Sequence, residues 1–342
     1  MRLKRLKKSF VSNSYEERAV ACFKALAIGD AIGKQTETLS YSDVGYWYPD
    51  GICGFQGSAG DIIPRYVGNR KYKWRIGETT DDTEQTIAVA RAILGQQEVS
   101  HTAIGRELLK CRKSLHPGIA SFWTFHQIGD PNRVTSEGDG CGAAMRVAPV
   151  GILYSPKRLD ELVRGAYESS IPTHGGQLAI CAAAAVAAAI SAALEGFPAA
   201  QVLELALAAA RKAEIFTPLA GSNAGLNIAE SILEMHSALS KPGALMVREL
   251  AEKFFPDGPG TKVPLAINLA LITESAEQTT LLAANLGGDS DSVASIGSAI
   301  AGSLRPETVN ENWYRVVQSV NGEELIDLAQ ALAKRRLAGA FK

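Results

Sequence analysis

The sequence predicts an all-α fold: one helical body that carries long functional loops. Three observations lead there. Ala, Leu, Glu, Lys and Gln dominate the long periodic segments. Alternating Val/Ile/Thr runs joined by hairpin turns are scarce. Helix-start signatures, a capping residue followed three positions later by Glu, recur along the chain. With 342 residues, 46% of them hydrophobic and 21% charged, the chain has ample material for a core and sits far from the composition of disordered proteins.

Taken in order, Met1 to Phe10 is basic and is followed by Val11-Ser-Asn-Ser-Tyr-Glu-Glu rather than an apolar stretch. Residues 1–13 therefore read as a solvated, disordered tail and not as a secretory signal, and 14–342 as a single helical domain. Ser14 with Glu17 forms a capping box that opens a helix through Phe23 and Leu26 to Ala27. Asp81 with Glu84 repeats the signature ahead of Ile87, Ala90, Ile93 and Leu94. Further helices are expected at 101–113, 158–168, 176–195, 199–213, 224–238, 245–254, 264–283, 292–303 and 323–336. The last has Glu323, Glu324 and Asp327 in its first turns and Lys334, Arg335 and Arg336 at its end, which suits the helix dipole. Leu178 to Leu194 approaches the length of a membrane span, but its alanine content and Ser191 read as a buried helix, so no membrane partner is expected. Three stretches rich in glycine, proline and aromatics, Tyr41 to Trp74, Pro117 to Gly142 and Pro256 to Pro264, read as surface loops of the kind that carries function.

Charge and cysteine usage exclude several function classes. Lys+Arg (35) nearly cancels Asp+Glu (36), so there is no broad surface for nucleic acid and any polyanion site must be local. Five cysteines, odd in number and never in a C-x-x-C pair, argue against a disulfide framework and fit a reducing, cytoplasmic compartment. Gly29-Asp-Ala-Ile-Gly33-Lys34-Gln35 is one residue short of a phosphate loop and lacks its Ser/Thr. Gly138-Asp-Gly140-Cys-Gly142 lacks the preceding hydrophobic strand of a dinucleotide fingerprint. No H-E-x-x-H, nucleophile elbow or EF-hand loop occurs.

Two segments share an unusual grammar: Thr79-Thr80-Asp81-Asp82-Thr83 and Asn285-Leu-Gly-Gly288-Asp289-Ser290-Asp291-Ser292. Each packs two carboxylates among hydroxyls where a helix is expected to begin. N-capping accounts for one acid per helix start. A second nearby acid adds repulsion that a hard cation would relieve, and carboxylate plus hydroxyl oxygens form the ligand set of Mg²⁺ or Mn²⁺. On the residues alone both readings stay open. Glu37 adds a carboxylate on a loop, where an ordinary solvated acid is the simpler account.

These pieces occur in an ordered set: Gly29-Asp30-Ala-Ile-Gly33 with Glu37, Thr80-Asp81-Asp82-Thr83, Gly142-Ala-Ala-Met145-Arg146-Val-Ala-Pro, Thr173-His174, and Gly287-Gly288-Asp289-Ser-Asp291-Ser292. In that order the chain resembles the ADP-ribosylglycohydrolase family, which includes the dinitrogenase reductase activating glycohydrolase, other ADP-ribosyl-acceptor hydrolases and the J1 crystallins. The resemblance implies a compact orthogonal helical bundle with two Mg²⁺ ions, or Mn²⁺, at the base of an ADP-ribose cleft. Thr80, Asp81, Asp82, Asp289, Asp291 and Ser292 would be the metal ligands, with Glu37 and Asp82 as the catalytic carboxylates. Gly140, Cys141, Gly142, His174 and Gly288 would line the substrate. The partner implied is ADP-ribose or an ADP-ribosylated protein, and the chain would act as a monomer. Two departures stand out: Cys141 where the family usually has Asn, and Ser292 in place of Thr. Arg146 is taken as a loop brace and left out of the site. An N-ribosidase of nucleosides or nucleotides on the same fold, and a non-catalytic crystallin-like protein, are the alternatives.

Overall fold

The computed structural model describes residues 13–216, 226–241, 243–322 and 324–339. Residues 1–12 of the basic tail, residues 224 and 225 of the expected helix 224–238, and Glu323 lie outside the described residues; Asn13 is described, and its amide reaches Glu307. Among the described residues there are seventeen α-helices and no strand beyond one isolated bridge between Ile62 and Arg75.

The chain begins with α1 (Tyr15–Gly33) and α2 (Tyr41–Trp47), and continues through α3 (Asp81–Leu94), α4 (His101–Leu108), α5 (Ala120–Ile128) and α6 (Gly142–Met145). The central run is α7 (Ala148–Leu153), α8 (Leu159–Ser170), α9 (Gln177–Leu194), α10 (Ala199–Ala213) and α11 (Ile228–Leu239). The last third holds α12 (Val247–Phe254), α13 (Pro259–Ile272), α14 (Ala276–Ala284), α15 (Ser290–Leu304), α16 (Glu311–Asn321) and α17 (Glu324–Leu337).

Three helices are buried on almost every side, as an all-round apolar helix requires: α1, α9 and α15. α15 packs on both α1 and α9, and the remaining helices surround this spine. Small residues let α1 and α15 approach closely. A side chain at Gly29 or Gly33 would collide with the α15 backbone at Ala294 or Ser290–Asp291, and one at Gly302 with Ala21 and Ala25. The contact at Gly33 brings the first turn of α15 against the last turn of α1, and so places Asp291 beside the loop that carries Glu37.

Several expectations need correction. Parts of the three stretches read as loops are helical. Ser40 caps α2 through the Asp43 N–H, and residues 120–128 form α5. Pro259 sits at the first position of α13, where its missing N–H costs nothing. The single helix expected over 264–283 is two, because Thr273 turns extended and Ser275 caps α14 by accepting from the Gln278 N–H. α1 runs on past Ala27 to Gly33, since its glycines pack against α15.

Candidate active site

The two acid-rich segments meet. Asp81 and Asp82 are the first residues of α3, Asp289 immediately precedes α15, and the Ser292 hydroxyl donates to Asp82 Oδ2 at 3.3 Å, across 210 positions of sequence. The positive ends of both helix dipoles thus face one group of carboxylates. One cleft is lined by Glu37, Asp81, Asp82, Asp289, Asp291 and Ser292, together with Gly140, Cys141, Gly142 and His174. Thr80 lies behind its wall, fully buried, with its hydroxyl 3.5 Å from Asp82 Oδ2.

Capping accounts for one segment and not for the other. Thr80 caps α3, its Oγ1 accepting the Asp82 N–H at 3.3 Å. The segment is further anchored from beneath by Asp30, whose carboxylate accepts the N–H groups of Thr80 (2.9 Å) and Thr83 (3.1 Å) and the Thr83 hydroxyl (2.5 Å). Asp289 makes no capping bond. Its carboxylate takes the Lys262 ammonium at 2.6 Å and the Cys141 thiol at 3.1 Å.

Burial and mutual repulsion dominate the electrostatics. Asp82 is held well above the ordinary aspartate range, first by burial and then by Asp30, Asp81 and Asp289; Asp291 is raised likewise by burial and by Glu37. Burial raises Asp81 to about 7. Burial would raise Asp289 as well, but Lys262 more than offsets it and leaves that carboxyl below its usual value. Asp82 Oδ1 is buried with no hydrogen-bond partner, an arrangement that is costly unless something else satisfies the oxygen. No three His, Cys, Asp or Glu side chains among the described residues stand at metal-holding separation. The donor set nevertheless suits a hard divalent ion: four clustered carboxylates, hydroxyls beside them and an orphaned carboxylate oxygen.

Glu37 hangs over this group from a pinned loop. Thr38 adopts a left-handed φ of 67°, costly for a β-branched residue. Its N–H donates to Gly288 O at 2.7 Å, while the Gly288 N–H donates to Leu39 O at 2.8 Å. Gly288, expected to line the substrate, spends both backbone groups on this clasp, and its own φ of 61° makes the glycine necessary. The Glu37 carboxylate pairs with the Lys34 ammonium, which also lies over the Trp74 ring.

The glycine loop packs on His174, since a side chain at Gly142 would strike the imidazole. Burial and the cations Arg146 and Arg133 lower His174 to about 3, so the ring is neutral, and it is held by the Thr173 hydroxyl at 2.7 Å. Burial and Asp289 push the Cys141 thiol up, which keeps it protonated. Arg146 is fully buried and braces the cleft through Gln85, whose amide donates to Asp81, and through Ser169 O and the Thr173 hydroxyl.

Sequence reasoning missed Lys34 and Lys262, the two cations that touch these acids. Lys34 stood inside a motif rejected as a phosphate loop. Lys262 stood in a stretch read as a loop, and nothing in its neighbours signals an ion pair with a residue in α15's approach.

The sequence profile of the ADP-ribosylglycohydrolase family matches residues 11–340. An uncharacterized protein of Archaeoglobus fulgidus is 30% identical over 87% of this chain and 90% of its own length. The uncharacterized protein YegU of Escherichia coli is 28% identical over 94% and 97%. The ADP-ribosyl-[dinitrogen reductase] glycohydrolase of Rhodospirillum rubrum is 28% identical over 41% of this chain and 45% of its own. Among solved structures, a chain described as an ADP-ribosylglycohydrolase-related protein complex superposes with a TM-score of 0.64 at 21% identity, covering 94% of this chain and 99% of that one.

Proposed function

The chain belongs to the ADP-ribosylglycohydrolase family, and from that premise we propose that it is a divalent-metal-dependent hydrolase cleaving the glycosidic bond at ribose C1 of an ADP-ribose conjugate. The carrying observation is the junction of the two acid-rich helix starts around the unpartnered Asp82 Oδ1, with Glu37 on the same cleft wall.

Thr80, Asp81, Asp82, Asp289, Asp291 and Ser292 would hold two Mg²⁺ ions, with Mn²⁺ able to take their place. Bound there, the ions supply Lewis-acid charge that grips sugar hydroxyls and makes water more acidic. Asp30 and Thr80 hold Asp82 in place, and Arg146 holds Asp81 through Gln85. Cleavage at C1 develops positive charge on the sugar and requires a proton to be moved between water and the leaving group. Glu37 is placed to move it, a contribution of about 10²- to 10⁴-fold for a positioned acid or base. Lys34 steers the Glu37 carboxylate. The glycine loop, stacked on neutral His174, offers backbone groups to the ribose and phosphates, with Cys141 in place of an amide. The five cysteines are all free, which supports a cytoplasmic setting, and the reading takes the enzyme as a monomer.

The test is product analysis on ADP-ribosyl-arginine, ADP-ribosyl-serine, O-acetyl-ADP-ribose and nucleosides, with and without Mg²⁺. Release of ADP-ribose that stops on chelation is expected. Full activity in excess chelator contradicts the metal, and release of free base from nucleosides alone contradicts the substrate.

A further inference from the structure

Glu37 lies on the wall between two recesses of opposite character. On one side is the acid-lined cleft with the glycine loop and His174. On the other is a larger recess of about 710 Å³, formed where the loop over 64–78 faces residues 112–119. Arg65, Lys71, Lys73 and Arg112 line it, and none of them is in an ion pair among the described residues. The remaining charges on its wall are few: Lys34 and Glu37 neutralise each other, and Glu78, which accepts the Arg75 backbone N–H, keeps its negative charge. Two rings stand among these cations, Tyr72 beneath Lys71 at 4.8 Å and Trp74 beneath Lys34 at 4.2 Å. The chain as a whole has a net charge of -1, so this excess of positive charge is local.

We infer that this recess is the leaving-group site, and that it takes an anionic, planar group rather than a guanidinium. The inference rests on the reading above, which puts the ribose on the acid side of Glu37 and so puts the atom bonded to C1 on the other. Four cations against the single carboxylate of Glu78 leave an excess of positive charge, even with Arg65 and Arg112 also donating to backbone carbonyls. That excess attracts an anion and opposes a cationic leaving group, since like charges brought together at a binding surface are a strong means of exclusion. Tyr72 and Trp74 also line the recess, where a flat group packs against ring and ammonium together. In the reaction the C1–leaving-group bond breaks with its electron pair going to the leaving atom. The water oxygen bonds to C1, and one water proton ends on the leaving group by way of Glu37. The products are ADP-ribose and the protonated leaving group, with no further reactant.

The experiment compares three C1-linked ADP-ribose conjugates, with arginine, serine and 4-hydroxybenzoate (through its phenolic oxygen), on the wild type, Lys73→Glu and Lys71→Glu/Lys73→Glu. Both lysines are exposed, and an unchanged melting curve verifies that the variants fold. Charge reversal is expected to lower kcat/KM for the benzoate conjugate about tenfold and to leave the arginine conjugate unchanged or improved. Binding of free ADP-ribose should not change. Equal effects on all three conjugates overturn the inference, and so does loss of ADP-ribose binding, which would put the nucleotide in the recess. If the wild type cleaves no conjugate, the failure belongs to the proposed activity, and the recess is read by equilibrium binding instead. Free 4-hydroxybenzoate should then bind the wild type and lose affinity in the double variant; equal or stronger binding of free arginine overturns the inference.

Discussion

The starts of α3 and α15 are written in nearly the same residues and are held in opposite ways. At α3 the polar groups face inward on the scaffold: Thr80 caps the helix and Asp30 gathers the N–H groups of Thr80 and Thr83. At α15 the cap is unmade, Asp289 reaches to Lys262 and Cys141, and Asp291 sits buried among other acids at an energetic cost. The first start is held by hydrogen bonds to its backbone and the second by an ion pair, while each buries a carboxylate at a cost, Asp82 at α3 and Asp291 at α15. A cost of this kind is expected where a site is built for a ligand.

The comparison can be broken by substitution. Asp291→Asn should cost the largest effect, about a thousandfold or more in turnover with loss of Mn²⁺ binding, if a bound ion does most of the work. The same change should stabilise the metal-free protein by about 1 kcal/mol, because it removes a carboxyl whose charged form is disfavoured by burial and by Glu37; urea unfolding without metal checks this. Asp30→Ala should do the reverse, destabilising the fold by about 3 kcal/mol through buried donors left unpaired. A metal-free Asp291→Asn that is less stable than wild type would erase the distinction between the two helix starts.

The pH dependence sharpens the same contrast. Asp81 is raised from 3.8 to about 7, and Asp82 and Asp291 are also raised, so the folded metal-free chain binds more protons than the unfolded chain across that window. Metal-free stability should therefore fall as pH rises from 3.8 toward 7 at these groups. Added Mg²⁺ should recover more stability at the upper end, where it no longer competes with protons. Thermal melts with Mg²⁺ and with chelator across this range measure it; a stabilisation by Mg²⁺ that does not grow with pH would contradict it. The smallest effect is expected from Cys141→Ala, which removes one thiol donor to a half-buried carboxylate and should change stability by about 1 kcal/mol or less.

The parts of the fold that were legible are those fixed by local chemistry. α10 ends where it was expected at both ends, bounded by Pro198 before it and with Arg211 and Lys212 in its last turn. α16 was not foreseen: its Trp313, Tyr314, Val316, Val317 and Val320 are aromatic or β-branched and weak helix formers, and its cap, Asn310, is a common turn residue. The acid segments were legible as a pair because four carboxylates at two helix starts exceed what capping needs. Their counter-charges were not. Lys262 and Lys34 reach these acids only once α13, α15 and the end of α1 are packed, and the clasp between Gly288 and the Glu37 loop is made entirely by backbone groups.

The central claim is that the two helix starts form one divalent-ion site. Crystals grown with Mn²⁺ and measured at the manganese absorption edge test it most directly. The account predicts anomalous density between the carboxylates of Asp82 and Asp291, absent from Asp291→Asn crystals; an empty cleft at saturating Mn²⁺ in a preparation that still turns over substrate would contradict it.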